Sequence, residues 1–343
     1  MFNTLFKRLS SNRAIICRRS NVTWHAAPLE SRVLTELNGK DSRDYLQGLI
    51  TNDVRHLEDE SNHAIYAFML NHLGRIIGDL FVYRASDPDQ LLVECDERIS
   101  NVIRKNLTIH KLKKKVSVVA RNNLKVWSIF PSELTDTDKI KEDAHKYQVA
   151  VNDPRLPGRG LFRLVTEGDI ASADVTRHSV LDHLETVSLA TSDDYKRFRM
   201  RNGIGEGIDD IKPENAFPLE SNGDYLNAIS FFKGCYVGQE LTARTYHTGV
   251  TRKRLMPLEF DAEQMKEVVA IEVDHKLTDQ SGRKRLGKLR SRFENLGLGL
   301  AYIDEVPKFN NELYLEKIKM TTRRPCWWPV AKSDAEKAAD SVS

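Results

Sequence analysis

The sequence predicts an α+β fold that is followed by an all-β C-terminal region. Two apolar runs, His63–Leu70 and Arg75–Tyr83, flank the Gly-containing turn 71–74 and predict a β-hairpin. Apolar residues recur at helical spacing in 97–112, so a helix is interleaved with these strands. Antiparallel hairpins with interleaved helices are typical of α+β domains. The apolar runs in 250–330 are short, as in a barrel or a sandwich.

The remaining elements follow from periodicity and from capping residues. Two further helices are predicted at Asp41–Asp53 and Ser192–Arg201, with their first residues as N-caps. The polar stretch 132–150 predicts a connecting loop with a short helix. Further strands are predicted at Leu91–Cys95, Val116–Ala120, Leu124–Ile129, Gly160–Thr166, Arg254–Phe260, Val268–Val273, Gly287–Leu289 and Gly297–Tyr302.

The N-terminal segment 1–27 has the composition of a mitochondrial transit peptide. It contains five basic residues and no acidic residue, and the first acid of the chain is Glu30. Basic, hydroxyl-rich segments without acids are typical of transit peptides, and no apolar core of a secretory signal is present. We therefore expect a location in the mitochondrial matrix and a cleavage site between Ser20 and Ala27. The alternative interpretation is a disordered basic tail.

Charge and hydropathy argue against two classes of partner. The chain has 52 Lys and Arg residues and 49 Asp and Glu residues. Without the five basic residues of the leader, 47 basic residues remain against 49 acidic ones, which gives a net charge of −2. Such a balance gives no support to nucleic-acid binding. No run approaches the roughly 18 apolar residues of a membrane span. We expect neither a nucleic-acid partner nor a membrane span.

The cysteines are few and scattered. Cys17, Cys95, Cys235 and Cys326 form no CxxC pair and no zinc-type spacing with histidine. This pattern favours free thiols in a reducing compartment. By themselves these thiols do not suggest a resident four-cysteine cluster site in one chain.

The segment 231–244, Phe-Phe-Lys-Gly-Cys-Tyr-Val-Gly-Gln-Glu-Leu-Thr-Ala-Arg, carries the strongest functional signal. Gly238 is suited to begin a helix with Glu240 in its first turn. Cys235 would then lie just before a helix N-terminus, two residues from Lys233, and both features favour a thiolate. The alternative interpretation is a buried structural cysteine in a tight loop.

Lys233–Glu240 matches the K-G-C-Y-x-G-Q-E signature of the YgfZ family, whose members resemble the T-protein of the glycine cleavage system, a folate-dependent aminomethyltransferase. The runs 217–222 and 241–245 look like the eukaryotic mitochondrial branch, which matures [4Fe–4S] proteins. The resemblance covers most of the chain from about Leu29 to Leu300. Further matching blocks lie at 37–41, 45–49, 51–54 and 74–77.

The resemblance implies a fold of three parts. Two ferredoxin-like α+β units would form a folate-type cleft within 28–248, and a β-barrel would follow in 249–331. The tail 332–343 is expected to be disordered, because it has almost no large apolar residue.

The resemblance also implies the site. Cys235 would be the reactive residue and a transient ligand of a cluster. Asn52, Asp53 and Asp79 are candidates for contacts with tetrahydrofolate in the cleft; the alternative interpretation is that they are turn and capping residues. The signature loop would supply Lys233, Gly234, Tyr236, Gly238, Gln239, Glu240 and Arg244, with Tyr236 as a packing aromatic. One departure is notable: the T-protein relatives carry paired acids where this chain has Gly78 and Asp79, which puts aminomethyl transfer in doubt.

Three functions are compatible with these observations. The first is assembly of [4Fe–4S] proteins of the aconitase and lipoyl-synthase type, with an A-type carrier as partner and Cys235 as ligand to a shared cluster. The second is a folate-dependent one-carbon transferase, in which Cys235 only shapes the cleft. The third is a scaffold without chemistry. We rank assembly above transfer, so the fold is that of an enzyme whereas the activity is that of an assembly factor.

Overall fold

The computed structural model describes residues 22–59, 61–85, 87–137, 147–168, 187–261 and 273–329. Most of the predicted leader, the predicted tail, most of the strand Val268–Val273 and part of the stretch 132–150 lie outside these ranges. The described strands are β1 (Trp24–Pro28), β2 (Arg32–Asn38), β3 (Ala64–Leu70), β4 (Ile76–Arg84), β5 (Gln90–Asp96), β6 (Ser117–Ala120), β7 (Leu124–Pro131), β8 (Val149–Asn152), β9 (Phe162–Glu167), β10 (Val187–Leu189), β11 (Lys253–Phe260), β12 (Lys276–Thr278), β13 (Arg285–Phe293), β14 (Leu296–Tyr302), β15 (Glu312–Leu315) and β16 (Ile318–Thr322). The described α-helices are α1 (Ser42–Gln47), α2 (Ser100–Ile109), α3 (Ser192–Asn202), α4 (Gly207–Asp210) and α5 (Gln239–Thr248).

The first sheet has the spatial order β3-β4-β5-β2-β6 and is antiparallel throughout. Its hairpin β3–β4 confirms the predicted one. One face is covered by α1, α2 and the 3-10 turn Val54–Glu58, and apolar side chains of these elements form a separate core with the sheet. Strand β3 is an edge of this sheet, which leaves it beside the loops that form the site.

The second sheet has the order β10-β1-β7-β9-β8. Strand β1 lies inside it, antiparallel to β7 and parallel to β10. Ala26 and Ala27 are completely buried. Residues 24–27 of the predicted leader thus form most of an interior strand, and the position of the cleavage site stays a prediction.

The third part is a closed barrel of six strands in the order β11-β14-β13-β12-β15-β16. Leu277, Leu289 and Leu313 are completely buried in its core. The two sheets with their helices and this barrel confirm the predicted fold class. Within the described ranges, no helix combines the length and the apolar character needed to cross a membrane.

Two helix boundaries differ from prediction for local reasons. Helix α1 ends at Gln47, with Gly48 as its C-cap, rather than continuing to Asp53. Asp53 instead caps the following 3-10 turn, where its carboxylate accepts a hydrogen bond from the Arg55 N–H. At α3 the N-cap is Thr191 rather than Ser192, because Thr191 and Asp194 form a reciprocal capping box.

Buried ion pairs join the two sheets. Arg163 of β9 contacts Glu94 of β5 at 3.2 Å and also pairs with Glu206, while Arg32 of β2 binds Glu94 at 2.7 Å. All four side chains are nearly inaccessible to solvent. Because the partners come from both sheets, this network fixes how the sheets face each other.

Candidate functional site

The signature loop, residues 231–239, alternates between inward and outward side chains. Lys233 and Tyr236 are buried, whereas Gly234 and Cys235 between them are exposed. Phe232 is 97% exposed. Tyr236 packs in the main core, which confirms it as a packing aromatic, and burial raises its pKa to about 12. The loop therefore projects its thiol between two buried anchors.

Lys233 is enclosed beneath the loop. Its ammonium donates hydrogen bonds to the carbonyl oxygens of Gln47, Ile50 and Asn52 at 2.7, 2.8 and 2.6 Å. It also lies 5.2 Å from the centre of the Tyr236 ring. Burial lowers the pKa of Lys233 to about 8. The ammonium thus directs its hydrogen bonds to these carbonyls, and its influence on the Cys235 thiolate stays a prediction.

Backbone contacts hold the loop against the segment 47–54. The Val237 N–H donates to the Gly48 carbonyl at 3.1 Å, and the Ser230 N–H donates to the Thr51 carbonyl at 3.1 Å. The Thr51 hydroxyl donates in turn to the Ala228 carbonyl at 2.6 Å. The loop thus rests on the turn that follows α1, far from it in sequence.

Helix α5 begins where the sequence predicts. Gly238 is its N-cap with a φ of 77°, and Glu240 lies in the first turn and pairs with Arg244. A Cβ at 238 would lie 2.3 Å from the Asn71 carbonyl oxygen, so both backbone conformation and space require glycine. Gln239 accepts a hydrogen bond from the Tyr236 N–H at 3.2 Å. These contacts fix the C-terminal side of the loop.

Cys235 is exposed and forms no disulfide bond. Cys95 is completely buried in β5, and burial raises its pKa to about 12. Cys326 is exposed, near the end of the described chain. Among the residues that the structure describes, no group of three or more His, Cys, Asp or Glu side chains could hold a metal ion. A metal bound at Cys235 would therefore need ligands from outside these described residues.

Exposed apolar side chains lie in the signature loop and in and after helix α5. The Phe231 ring stacks on Tyr246 of α5 at 3.5 Å between ring centres. Tyr246 is 48% exposed, and both Leu241 and Val250 are also exposed. Of the residues of α5, only Thr242 is buried. The segment that carries Cys235 thus exposes several apolar side chains among polar ones.

A cleft of about 640 Å³ lies beside the loop, between the edge strands β3 and β8. Asn52, Tyr66, Asn152 and Phe232 are among its lining residues. The Tyr66 hydroxyl and the Asn152 side-chain oxygen are buried and have no hydrogen-bond partner among the described residues. Tyr66 and Asn152 lie in no motif, so sequence analysis did not single them out. A buried polar atom without a protein partner can be satisfied by an ordered water or by a ligand.

The three predicted cofactor-binding residues lie in different surroundings. Asn52 lines the cleft, and its amide donates to the carbonyls of Tyr66 and Asn227. The Asp53 carboxylate is bonded by Arg55, whose hydrogen bonds hold its pKa well below the ordinary value. The structure does not bring Asp53 into this cleft, and its role toward a cofactor stays a prediction.

Asp79 is enclosed between the sheets. It pairs with Arg32 at 3.1 Å and accepts a hydrogen bond from the Gly207 N–H. Burial raises its pKa, although Arg32 opposes that shift. At the neighbouring Gly78, a Cβ would lie 2.4 Å from the Ile99 side chain. The space for the second acid of the T-protein relatives is thus filled by Ile99.

Comparison with known proteins identifies the family. The chain is 32% identical to the mouse mitochondrial iron–sulfur cluster assembly factor IBA57 over 340 residues, which cover 95% of this chain and 90% of the mouse protein. It is 31% identical to the human protein of the same name, over 90% of this chain and 87% of the human one. The chain belongs to the IBA57 family. Its relatives confirm the predicted mitochondrial location.

Two other comparisons agree with this family. Residues 252–330 match the model of the CAF17 C-terminal β-barrel domain. The structure is similar to that of the glycine cleavage system aminomethyltransferase T from Bartonella henselae, with a TM-score of 0.64 and 14% identity over 89% of this chain and 86% of that one. At such identity the likeness establishes the fold alone. The predicted resemblance to an aminomethyltransferase fold is confirmed.

Proposed function

We propose that this chain is a mitochondrial matrix assembly factor for [4Fe–4S] proteins, which offers Cys235 as a ligand to a cluster shared with an A-type carrier. The observation that carries the proposal is the exposed Cys235 on a loop whose neighbours on both sides are anchored. Its relatives are named as iron–sulfur cluster assembly factors. The clients would be proteins of the aconitase and lipoyl-synthase type.

The cluster is cargo in this scheme rather than a resident cofactor. Iron–sulfur clusters in proteins are commonly held by several cysteine thiolates. One thiol at an accessible site, which belongs to no group of three or more metal-binding side chains among the described residues, suits a cluster that bridges two proteins. The partner would supply the remaining ligands, and a cluster held by so few groups on this side can leave with the partner. The apolar surface around Phe232 and Tyr246 supports the same conclusion, since such surfaces are typical of interaction sites.

A cellular replacement experiment tests this function. The endogenous protein is depleted, and either the wild-type chain or Cys235→Ser is expressed in its place. We expect Cys235→Ser to accumulate normally but to fail to restore aconitase activity and protein lipoylation, while a [2Fe–2S] enzyme stays active. Full rescue by Cys235→Ser would refute the role of the thiol.

The cleft supports a second candidate, in which the chain binds tetrahydrofolate. A volume of about 640 Å³ lies in the range of small-molecule sites. The Asn152 side-chain oxygen, which has no partner among the described residues, could accept a hydrogen bond from a heteroaromatic ring. Binding would not imply aminomethyl transfer, because Ile99 fills the space beside Gly78 and Asp79 is paired with Arg32.

Titration calorimetry with tetrahydrofolate tests this candidate. We expect binding by the wild-type chain that weakens about tenfold in Asn152→Ala, in line with the loss of one buried hydrogen bond. Exposed Asn101→Ala in α2 is the matched control and should bind as the wild type does. Absence of binding at millimolar ligand would remove folate from the account without affecting the role of Cys235.

A further inference from the structure

We propose that Lys233 is the positioning residue of the site: its ammonium closes a cage of three backbone carbonyls and thereby holds Cys235 on the outer side of the signature loop. This inference rests on the proposed function, since it explains how the loop presents the thiol that a partner must reach. The ammonium does not touch the cluster in this proposal and acts only through the loop.

The cage accounts for every hydrogen of the ammonium. A lysine ammonium has three donors and no acceptor. Three carbonyl oxygens, those of Gln47, Ile50 and Asn52, lie 2.6 to 2.8 Å from Nζ. Gln47 is the last residue of α1, where carbonyls lack helical partners and the helix dipole favours a cation. The ammonium thus provides hydrogen-bond donors to the carbonyls of the turn after α1, and these carbonyls accept all three of its hydrogens.

No other residue type fits this cage. A buried charge is costly unless it is fully hydrogen-bonded, and here carbonyls rather than a carboxylate provide the compensation. A neutral side chain would leave three carbonyls without this donor. An arginine would present a planar fork in place of a compact, three-way donor. The structure therefore requires a lysine at position 233. It makes no such demand at the neighbouring Gly234, where nothing lies within 4 Å of the Cβ position.

The position of the cage explains the direction of the thiol. Lys233 points inward on one side of Gly234 and Cys235, and Tyr236 points inward on the other. Because only Gly234 and Cys235 separate these two anchors, the Cys235 side chain is held on the outer side of the loop. Release of the first anchor would leave the N-terminal side of the loop held only by the Ser230–Thr51 backbone hydrogen bond and the Phe231–Tyr246 stack. Gly234 and Cys235 would then lose the inward contact next to them, and the thiol would sample more positions.

Hydrogen exchange in the full-length protein tests the positioning step directly. The amides of Ser230 and Val237 donate across the contact between the loop and the turn after α1. In Lys233→Ala we expect both amides to exchange at least about tenfold faster, with barrel amides unchanged. The matched control is Lys105→Ala, which removes an exposed lysine from α2 and should leave both rates as in the wild type.

Chemical rescue separates positioning from general stability. Propylammonium supplies the atoms that Lys233→Ala lacks, so it should restore slow exchange at both amides. Tetramethylammonium has the charge without donors, and 1-propanol has the size without the charge, so neither should restore it. If Lys233→Ala does not fold, Lys233→Met keeps most of the aliphatic stem and is measured in its place.

The functional readout is an anaerobic mixture of the full-length chain, the A-type carrier, ferric and ferrous iron in equal amounts, and sulfide. We expect Lys233→Ala to form at least about tenfold less iron-bearing joint complex than the wild type, and propylammonium to restore it. Unchanged exchange in a folded Lys233 variant, or wild-type complex formation by it, would overturn the positioning role. If the wild type itself forms no joint complex, the proposed function fails, while the exchange rates still decide whether Lys233 orders the loop.

Discussion

The described thiols illustrate how the environment divides one residue type into different roles. Cys95 is enclosed in a strand of the first sheet, whereas Cys235 lies on an exposed loop. Desolvation favours the neutral form of a buried thiol, and only a thiolate binds metal or attacks. Cys95 is therefore a small packing residue, and Cys235 is the thiol that a partner can reach.

The raised pKa of Cys95 makes a prediction about stability at high pH. An unfolded thiol loses its proton near its ordinary pKa of 9, whereas burial keeps Cys95 protonated to about 12. The folded state binds more protons in that window, so stability is complete below it and falls as pH rises, by up to about 1.4 kcal/mol per pH unit. Urea unfolding across this range should show a shallower decline for Cys95→Ala than for the wild type. An identical slope in both proteins would contradict the assignment.

At the scale of elements, the junction between the signature loop and α5 depends on the close approach of two backbones. Gly238 meets the hairpin turn between β3 and β4, where a Cβ would lie 2.3 Å from a backbone oxygen and 2.9 Å from the Leu70 Cβ. Gly234, four residues earlier in the same loop, has open space around it. The two glycines of the signature thus serve different purposes.

This difference predicts opposite outcomes for two equivalent substitutions. Gly238→Ala should destabilise the protein by about 1–3 kcal/mol, because an alanine is strained at positive φ and would also collide with the hairpin. Gly234→Ala should stay within about 0.5 kcal/mol of the wild type. Thermal unfolding of both variants checks the prediction. Equal losses of stability would show that the close approach to the hairpin does not matter.

The predictable elements are those with local signals. The hairpin β3–β4, the barrel strand β11 and the start of α5 follow from periodicity and glycine positions, and the structure confirms them. The buried hydrogen bonds of Lys233 were not predictable. Its partners are backbone carbonyls more than 180 residues away, and a backbone carbonyl leaves no signal in the sequence. Strand β1 was not predicted for the same reason. Its residues 24–27 were assigned to the leader, and only their pairing with β7 and β10 shows that they form a strand.

At the scale of the whole molecule, the two sheets are joined by charges that have no access to water. Burial opposes the ionisation of Glu206, but the guanidinium groups of Arg163 and Arg155 outweigh it and hold its pKa well below the ordinary value. In this chain the space between the sheets is therefore occupied by ion pairs and aromatic rings. Such pairs fix geometry more than they add stability, but losing one partner is costly.

Glu206→Gln should therefore destabilise the protein by about 3–5 kcal/mol, because it leaves buried guanidinium groups without their carboxylate. The lowered pKa of Glu206 also predicts how stability depends on pH. The contribution of Glu206 to stability is present above the ordinary pKa of 4.5 and is lost as pH falls below it. Glu240→Gln removes an exposed carboxylate and should change stability by less than about 1 kcal/mol. Denaturant unfolding of both variants at neutral and acidic pH makes the comparison, and equal losses would contradict a joining role for the network.

The IBA57 family membership and the transferase-like fold leave one central question, which is whether this molecule uses its loop thiol or its cleft. The most direct measurement is the anaerobic assembly of an iron-bearing complex from the purified chain and an A-type carrier, with iron and complex size followed together. The wild type and Gly234→Ala should form the joint complex, and Cys235→Ser should not, while all three remain folded. Formation of the same complex by Cys235→Ser would contradict the account and assign the function to another surface.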